Sequence, residues 1–142
     1  MIAAGGIIDG AGMAAIFAAG AEGIQMGTRF VSSKESPVHN NFKNKILESG
    51  IDGTLVLNKT SKPVIRALKS KLTHDINQKG QMDMSSMLKI QDLYFKGDME
   101  AAPALSGQSS GLINEIKTVK EIIDETIKEF NIICKKMGDI SF

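Results

Sequence analysis

The chain has 142 residues, of which 42% are apolar and 23% are charged, and its formal net charge is +1. This length suits one domain with a modest core. The near-neutral charge gives no reason to expect a nucleic acid or a membrane surface as partner. Cys134 is the only cysteine, so an intrachain disulfide is excluded, and we expect a reducing, cytoplasmic compartment.

The first 31 residues are small, apolar and rich in glycine, a composition typical of tightly packed α/β structure. Apolar runs, a capping residue and glycines mark the element boundaries here. The pattern predicts a buried strand over 1–4, a helix over 11–19 with Asp9 as N-cap and Gly20 as C-cap, and a strand over 23–26 that Gly27 ends.

Two glycine-bearing loops follow these strands, at Gly5-Gly6 and at Gly27-Thr28. Exposed backbone N–H groups, a hydroxyl and the start of a helix suit a phosphate. Two such units, about 20 residues apart, match the last two βα units of a TIM barrel, where phosphates usually bind. A complete barrel needs roughly 250 residues, so we expect the C-terminal part of one, with these units in 1–31 and a mainly helical region in 32–142.

A rival pattern lies between the two loops. The stretch from Gly10 to Ala15 matches G-x-G-x-x-A, the dinucleotide fingerprint of Rossmann folds. That fingerprint needs a full buried strand directly before its first glycine, whereas Gly5-Gly6 interrupts the stretch here. We interpret these glycines as positions where the helix packs closely against the sheet.

After Ser32 the composition becomes charged and polar, and helical spacing dominates. We predict helices over 37–49 and 87–96, a short strand or extended arm over 54–57, and loops over 78–86 and 101–111. A further helix is predicted from Pro63, with Ile65, Leu68, Leu72 and Ile76 on one face. The last helix is predicted after Asn114 as N-cap, with an apolar face of Ile116, Val119, Ile123, Ile127, Phe130, Cys134 and Met137.

Several single residues allow a functional and a structural interpretation. Arg29 either pairs with a carboxylate at the barrel rim or supports the phosphate electrostatically. His39 and His74 lack neighbours at ligand spacing, so we expect surface histidines and no metal site. Cys134 is expected in the core. The basic stretch Lys59, Lys62, Arg66, Lys69 and Lys71 is either a solvated helix face or a surface for an acidic acyl carrier protein.

Five segments together resemble the flavin-dependent nitronate monooxygenase (2-nitropropane dioxygenase) family, which includes the enoyl-ACP reductase II enzymes. The most specific is Gly23-Ile24-Gln25-Met26-Gly27-Thr28-Arg29-Phe30, which looks like the eighth barrel strand with its phosphate loop. The others are Ala3 to Gly10, Ser33 to His39, Lys62 to Lys69, and Ser106 to Leu112, the last resembling the family's Gly-Gln segment.

The resemblance implies FMN as cofactor. Gly5, Gly6, Gly27 and Thr28 would hold its phosphate, Gln25 and Met26 would flank the same site, and Gln108 would lie near the mouth of the substrate pocket. The histidine that the family uses near the flavin lies upstream of these motifs, so the catalytic residues are unknown. We therefore expect this chain alone to be inactive.

Three functions stay open on the sequence. The chain is part of a nitronate monooxygenase-type oxidoreductase, part of an enoyl-ACP reductase II, or a non-catalytic half-barrel from a truncated gene. The expected substrate is a small nitronate or an acyl thioester. The expected protein partner is an N-terminal half-barrel chain or a second copy, because two βα units leave open strand edges.

Overall fold

Two short parallel strands, β1 (Ile2–Ala4) and β2 (Gly23–Gln25), lie side by side in the computed structural model, which describes residues 1–140. Ile2 pairs with Gly23, and Ala4 pairs with Gln25. The connection between them is the helix α1 (Gly10–Ala18). The prediction that both glycine loops follow neighbouring parallel strands is confirmed.

The prediction that β1 is buried is wrong. Ile2 is 71% exposed, and only Ala3 of this strand is half-buried. In the part of the chain that the structure describes, β1 pairs with β2 alone, and the other sheet lies elsewhere. An apolar run indicates burial only when further strands or helices cover it, and here they do not.

Helix α1 begins and ends as its sequence predicts, within one residue. The carboxylate of Asp9 accepts a hydrogen bond from the Gly12 N–H at 2.8 Å, which is the N-cap interaction. Ala19 is the C-cap, and Gly20 follows it with φ +97°, a left-handed conformation that glycine adopts without strain.

The region after α1 contains a second sheet that the sequence did not predict as such. Helices α2 (Thr28–Val31) and α3 (Asn40–Glu48) are followed by the antiparallel hairpin of β3 (Thr54–Leu57) and β4 (Ile65–Leu68). The predicted extended segment at 54–57 is confirmed as a strand, whereas the helix predicted from Pro63 is wrong over β4. Ile65 and Leu68 are three residues apart, which fits one helix face, but they pair with Leu57 and Thr54 across the hairpin.

The helix that follows, α4 (Lys71–Lys79), starts later than predicted because Ser70 caps it. The Ser70 hydroxyl accepts from the Thr73 N–H, and the Thr73 hydroxyl accepts from the Ser70 N–H at 2.7 Å. This reciprocal pair is a capping box. Ser70 was the sequence signal that could have separated strand from helix.

The chain continues through short turns into a long helix. The segment predicted as a helix over 87–96 is helical but irregular, with a 3-10 turn (Met84–Lys89) followed by a π-helical turn (Asp92–Lys96). A further 3-10 turn (Gln108–Leu112) lies inside the predicted loop and one residue beyond it. The final helix is α5 (Val119–Gly138). Its N-cap is Thr118, in a capping box with Glu121, so the prediction of Asn114 as cap is wrong.

Two apolar clusters form the core, both after residue 41. The first contains Phe42, Ile46, Leu68, Leu93, Ala102, Ala104 and Ile113, and the second contains Leu57, Ala67, Ile76 and Met82. Full burial of a side chain such as Phe42 contributes about 1.5–3 kcal/mol. These clusters hold the hairpin, α3 and the 84–113 segment together.

Helix α5 packs on α1, and this contact decides which of its faces is buried. A Cβ added at Gly10 would lie 2.5 Å from Phe130 N and from Thr126 O, so the two helix backbones approach closely. Ile122 and Thr126 are buried, whereas Ile123 is 41% exposed. Cys134 is exposed, so its predicted place in the core is wrong. Along residues 1–140, no helix is long and apolar enough to cross a membrane.

Candidate functional site

A cavity of about 250 Å³ lies where the two glycine loops meet. We call it the glycine-loop cavity. It is lined by Ala4, Gly5, Gly6, Ile7, Ile8, Gln25, Gly27, Thr28, Gly107 and Ser109. Five of the seven residues predicted for the site from sequence therefore line one cavity, together with two residues of a segment about 80 positions further along the chain.

The backbone of the first loop is open to this cavity. Gly5 and Gly6 have φ of +94° and +75°, which glycine adopts readily and other residues rarely do. A Cβ added at Gly5 or at Gly27 would meet no atom within 4 Å. The absence of a side chain at Gly5 and Gly27 therefore leaves the backbone open to a ligand. At Gly5 and Gly6, the positive φ angles also require glycine.

Thr28 connects the second loop to the 3-10 turn at Gln108–Leu112. Its Oγ1 accepts a hydrogen bond from the Gly107 N–H at 2.9 Å. Because a hydroxyl can accept and donate at once, the Thr28 O–H remains available as a donor toward the cavity. The sequence predicted Thr28 as a site residue but not Gly107, because no local pattern joins two residues that are 79 positions apart.

Gln108 and Met26 lie in different places relative to the cavity. Gln108 reaches the first loop, because a Cβ added at Gly6 would lie 3.5 Å from Gln108 Nε2. Met26, in contrast, lines a separate apolar cavity of about 220 Å³ with Ile24, Phe30 and Ile123 among others. The structure therefore brings Gln108 to the glycine loops and directs Met26 to the opposite side of β2.

Arg29 lines neither of these cavities. Its side chain is 8% exposed and its Nη1 donates to the Glu115 carbonyl at 2.9 Å. Burial lowers the pKa of the guanidinium below its ordinary value, and Coulombic attraction from Glu115 and Glu125 opposes that shift. Its direct hydrogen-bond partners are this carbonyl and the Ser32 hydroxyl, and the carboxylates of Glu115 and Glu125 attract it electrostatically. These contacts are those of a structural residue beside carboxylates, and electrostatic support of a phosphate stays a prediction.

Arg29 belongs instead to a cavity of about 140 Å³ beside α5, which we call the carboxylate cavity. Asp9, Glu115, Glu125 and Glu129 line it with Arg29 and Lys117. Lys117 bridges Glu115 and Glu125, and these ion pairs raise the pKa of its ammonium. Four carboxylates against two cations disfavour an anionic ligand there.

The glycine-loop cavity has the opposite character. Its lining residues include no carboxylate and offer backbone N–H groups, two hydroxyls and the Gln25 amide. Neutral donors of this kind hold phosphate groups in many loops that lead into helices. The residues present therefore fit a phosphate better than those of the carboxylate cavity do.

In the described residues, 1–140, no group of three His, Cys, Asp or Glu side chains is placed so that it could hold a metal ion. His39 instead caps α3, because its Nδ1 accepts from the Asn41 N–H at 3.1 Å. His74 is an exposed residue of α4. The basic stretch lies on and around β4, where Lys69 pairs with Asp52 at 2.9 Å and Arg66 donates to Thr54.

The sequence and the structure of the chain are both similar to those of known proteins. The chain is 30% identical to a protein of Staphylococcus saprophyticus named as a probable nitronate monooxygenase, over 96% of this chain and 40% of that one. It is similar to the solved structure of FabK from Thermotoga maritima, with a TM-score of 0.87, 40% identity, and coverage of 98% of this chain and 47% of that one.

A nitroalkane oxidase structure from Streptomyces ansochromogenes shares the fold, with a TM-score of 0.80 and 20% identity over 96% of this chain and 40% of that one. The chain thus spans less than half the length of each of these relatives. The nitronate monooxygenase family matches residues 1–129, which is most of the sequence. The chain, with its α/β fold and paired glycine loops, therefore belongs to the nitronate monooxygenase family.

Proposed function

We propose that this chain is the C-terminal part of an FMN-dependent oxidoreductase that oxidises alkyl nitronates with oxygen. The observation that carries the proposal is the glycine-loop cavity, found in a member of the nitronate monooxygenase family. Its two loops follow neighbouring parallel strands, as phosphate-binding loops of TIM barrels do. When bound, the flavin supplies the redox chemistry, and the protein binds and orients it.

The residues of the cavity would bind the FMN phosphate. Gly5 and Gly6 present open backbone, Gly27 leaves room for close approach, and Thr28 has a hydroxyl proton to donate. Gln25 lines the same cavity, and Gln108 lies beside Gly6, where it would reach the mouth of the substrate pocket. Charge-assisted hydrogen bonds of this type contribute about 1.5–3 kcal/mol each.

A longer barrel would supply what this chain does not. The relatives are more than twice as long as the part that the chain matches. The apolar side chains of Met1 and Ile2, at the start of the strand that leads to the first glycine loop, are 72% and 71% exposed. Further strands beside β1 would bury these side chains and carry the catalytic groups. The single cysteine suits a cytoplasmic, reducing environment for such an enzyme.

The enoyl-ACP reductase II reaction is a second candidate. The observation that favours it is the 40% identity with FabK, against 30% with the probable nitronate monooxygenase. The exposed lysines near the hairpin, Lys59, Lys62 and Lys71, would attract an acidic acyl carrier protein. The third candidate is a non-catalytic half-barrel, which would associate with an N-terminal half or with a second copy.

Sequencing the nucleotides upstream of Met1, and expressing any in-frame extension together with this chain, tests the proposal. We expect a yellow protein that consumes oxygen when an alkyl nitronate is added. Reduction of an enoyl thioester by a nicotinamide donor, without nitronate-dependent oxygen uptake, would support the second candidate. An extended protein that binds no flavin would contradict both.

A further inference from the structure

The 3-10 turn at Gln108–Leu112 forms a third wall of the glycine-loop cavity, and contacts at both of its ends hold it in place. The Gly107 N–H donates to Thr28 Oγ1 at 2.9 Å, across 79 positions of the sequence. At the other end of the turn, a Cβ on Gly111 would overlap the Gly50 carbonyl group. These two contacts fix where the side chains of the turn lie.

Two serines of this turn are buried, but their hydroxyls have different surroundings. Ser110 is fully buried; its hydroxyl donates to the Gly107 carbonyl and lies 2.7 Å from the Ser106 hydroxyl. Ser109 is 9% exposed and lines the glycine-loop cavity. In the part of the chain that the structure describes, Ser109 Oγ makes no hydrogen bond to another protein group.

A hydroxyl without a protein partner at the wall of a cavity is a free hydrogen-bond donor for whatever occupies that cavity. Ser109 and Thr28 are the two hydroxyl-bearing residues that line it. No lysine or arginine lines it, so a bound anion would depend on neutral donors. Each of the two hydroxyls would then contribute a charge-assisted hydrogen bond.

We infer that Ser109 is a phosphate-binding residue, whose hydroxyl would donate a hydrogen bond to the phosphate of the flavin together with that of Thr28. This inference rests on the proposed function. It assigns the Gly107–Ser109 segment to cofactor binding, whereas the neighbouring Gln108 faces the first loop. Ser110 serves the turn itself and takes no part in binding.

The test compares FMN with riboflavin, which differ only in the phosphate. Both are titrated into this chain, and the dissociation constants are read from the backbone amide shifts in NMR spectra. In the wild-type chain we expect FMN to bind more tightly than riboflavin. In Ser109→Ala the preference for FMN should fall by about tenfold, as loss of one bond to a charged group predicts, while riboflavin affinity stays unchanged.

Ser85→Ala is the matched control, because Ser85 is exposed and does not line the cavity. It should leave the FMN preference unchanged. An unchanged preference in Ser109→Ala, with the wild-type preference present, would overturn the role of Ser109 and leave the proposed function standing. Equal affinity of the wild-type chain for FMN and riboflavin, or no binding of either, would overturn both.

Discussion

Thr28→Val tests the site through the one side chain that has two roles in it. Valine keeps the β-branched shape of threonine but removes Oγ1, which accepts from the Gly107 N–H at 2.9 Å. It also removes the O–H that we propose as a donor to the FMN phosphate. The variant should therefore change both ligand affinity and stability.

The two losses have different magnitudes. Loss of a hydrogen bond to a charged phosphate should weaken FMN binding by about 1.5–3 kcal/mol, or about 10- to 150-fold. Leaving the half-buried Gly107 N–H without its acceptor should cost about 1 kcal/mol of folding free energy. In a chain of this size that lowers Tm by about 3–5 °C.

Thr28→Ser separates these effects from a simple change of volume, because serine retains both the acceptor and the donor. Affinities would come from FMN titrations followed by NMR, and Tm from thermal unfolding followed by circular dichroism. We expect Thr28→Ser to resemble the wild type in both. If Thr28→Val bound FMN as tightly as the wild type, Thr28 would have no place in the site.

Three further predictions concern the fold and the isolated chain. Gly10→Ala should destabilise the chain by about 1–3 kcal/mol in urea unfolding, because its Cβ would lie 2.5 Å from the α5 backbone. Gly138→Ala is the control, because a Cβ there would meet nothing within 4 Å, and it should be neutral or slightly stabilising. Hydrogen bonds from Thr118 lower the pKa of Glu121, so its capping contribution is present above the unfolded pKa and is lost as pH falls through the folded value. The decrease in Tm between about pH 6 and about pH 3 should therefore be smaller in Glu121→Gln, and an equal decrease would refute the capping role. The purified chain should be colourless in absorption spectra, inactive in oxygen-uptake assays, and associated through its open strand edges in light scattering. A yellow, active preparation would contradict this.

Local signals made the first 31 residues predictable. Asp9 supplies a capping carboxylate, Gly20 a left-handed residue, and the two glycine loops follow strands joined by a single helix, so parallel pairing was the expected arrangement. The exposure of β1 was not predictable in the same way. Burial depends on which other elements cover a strand, and the strand's own sequence does not encode them.

The predictions for later elements were wrong where the spacing of apolar residues fits both a helix and a strand. Ile65 and Leu68 match a helix face, and they are equally the two ends of a four-residue strand. The long-range pairing with β3 decided between these, and the capping box at Ser70 moved the helix start. On α5, the side with the most apolar residues is partly exposed because the close approach at Gly10 selects the side of Ile122 instead.

The candidate site shows the same division. Gly5, Gly6, Gly27 and Thr28 could be found because strand, glycine loop and helix occur in sequence order. Ser109 could not, because its position depends on a hydrogen bond between Gly107 and Thr28 and on close packing of Gly111. Neither contact produces a periodic pattern in the sequence.

Mapping where FMN contacts this chain would test the proposed phosphate site without relying on any single substitution. Backbone amide signals would be recorded with increasing FMN, with riboflavin as the ligand that lacks the phosphate. We expect FMN to shift the signals of Gly5, Gly6, Gly27, Thr28 and Ser109 more strongly than riboflavin does, while the signals of residues lining the carboxylate cavity stay in place. Shifts centred on Arg29 and Lys117, or shifts that riboflavin reproduces in full, would contradict this expectation.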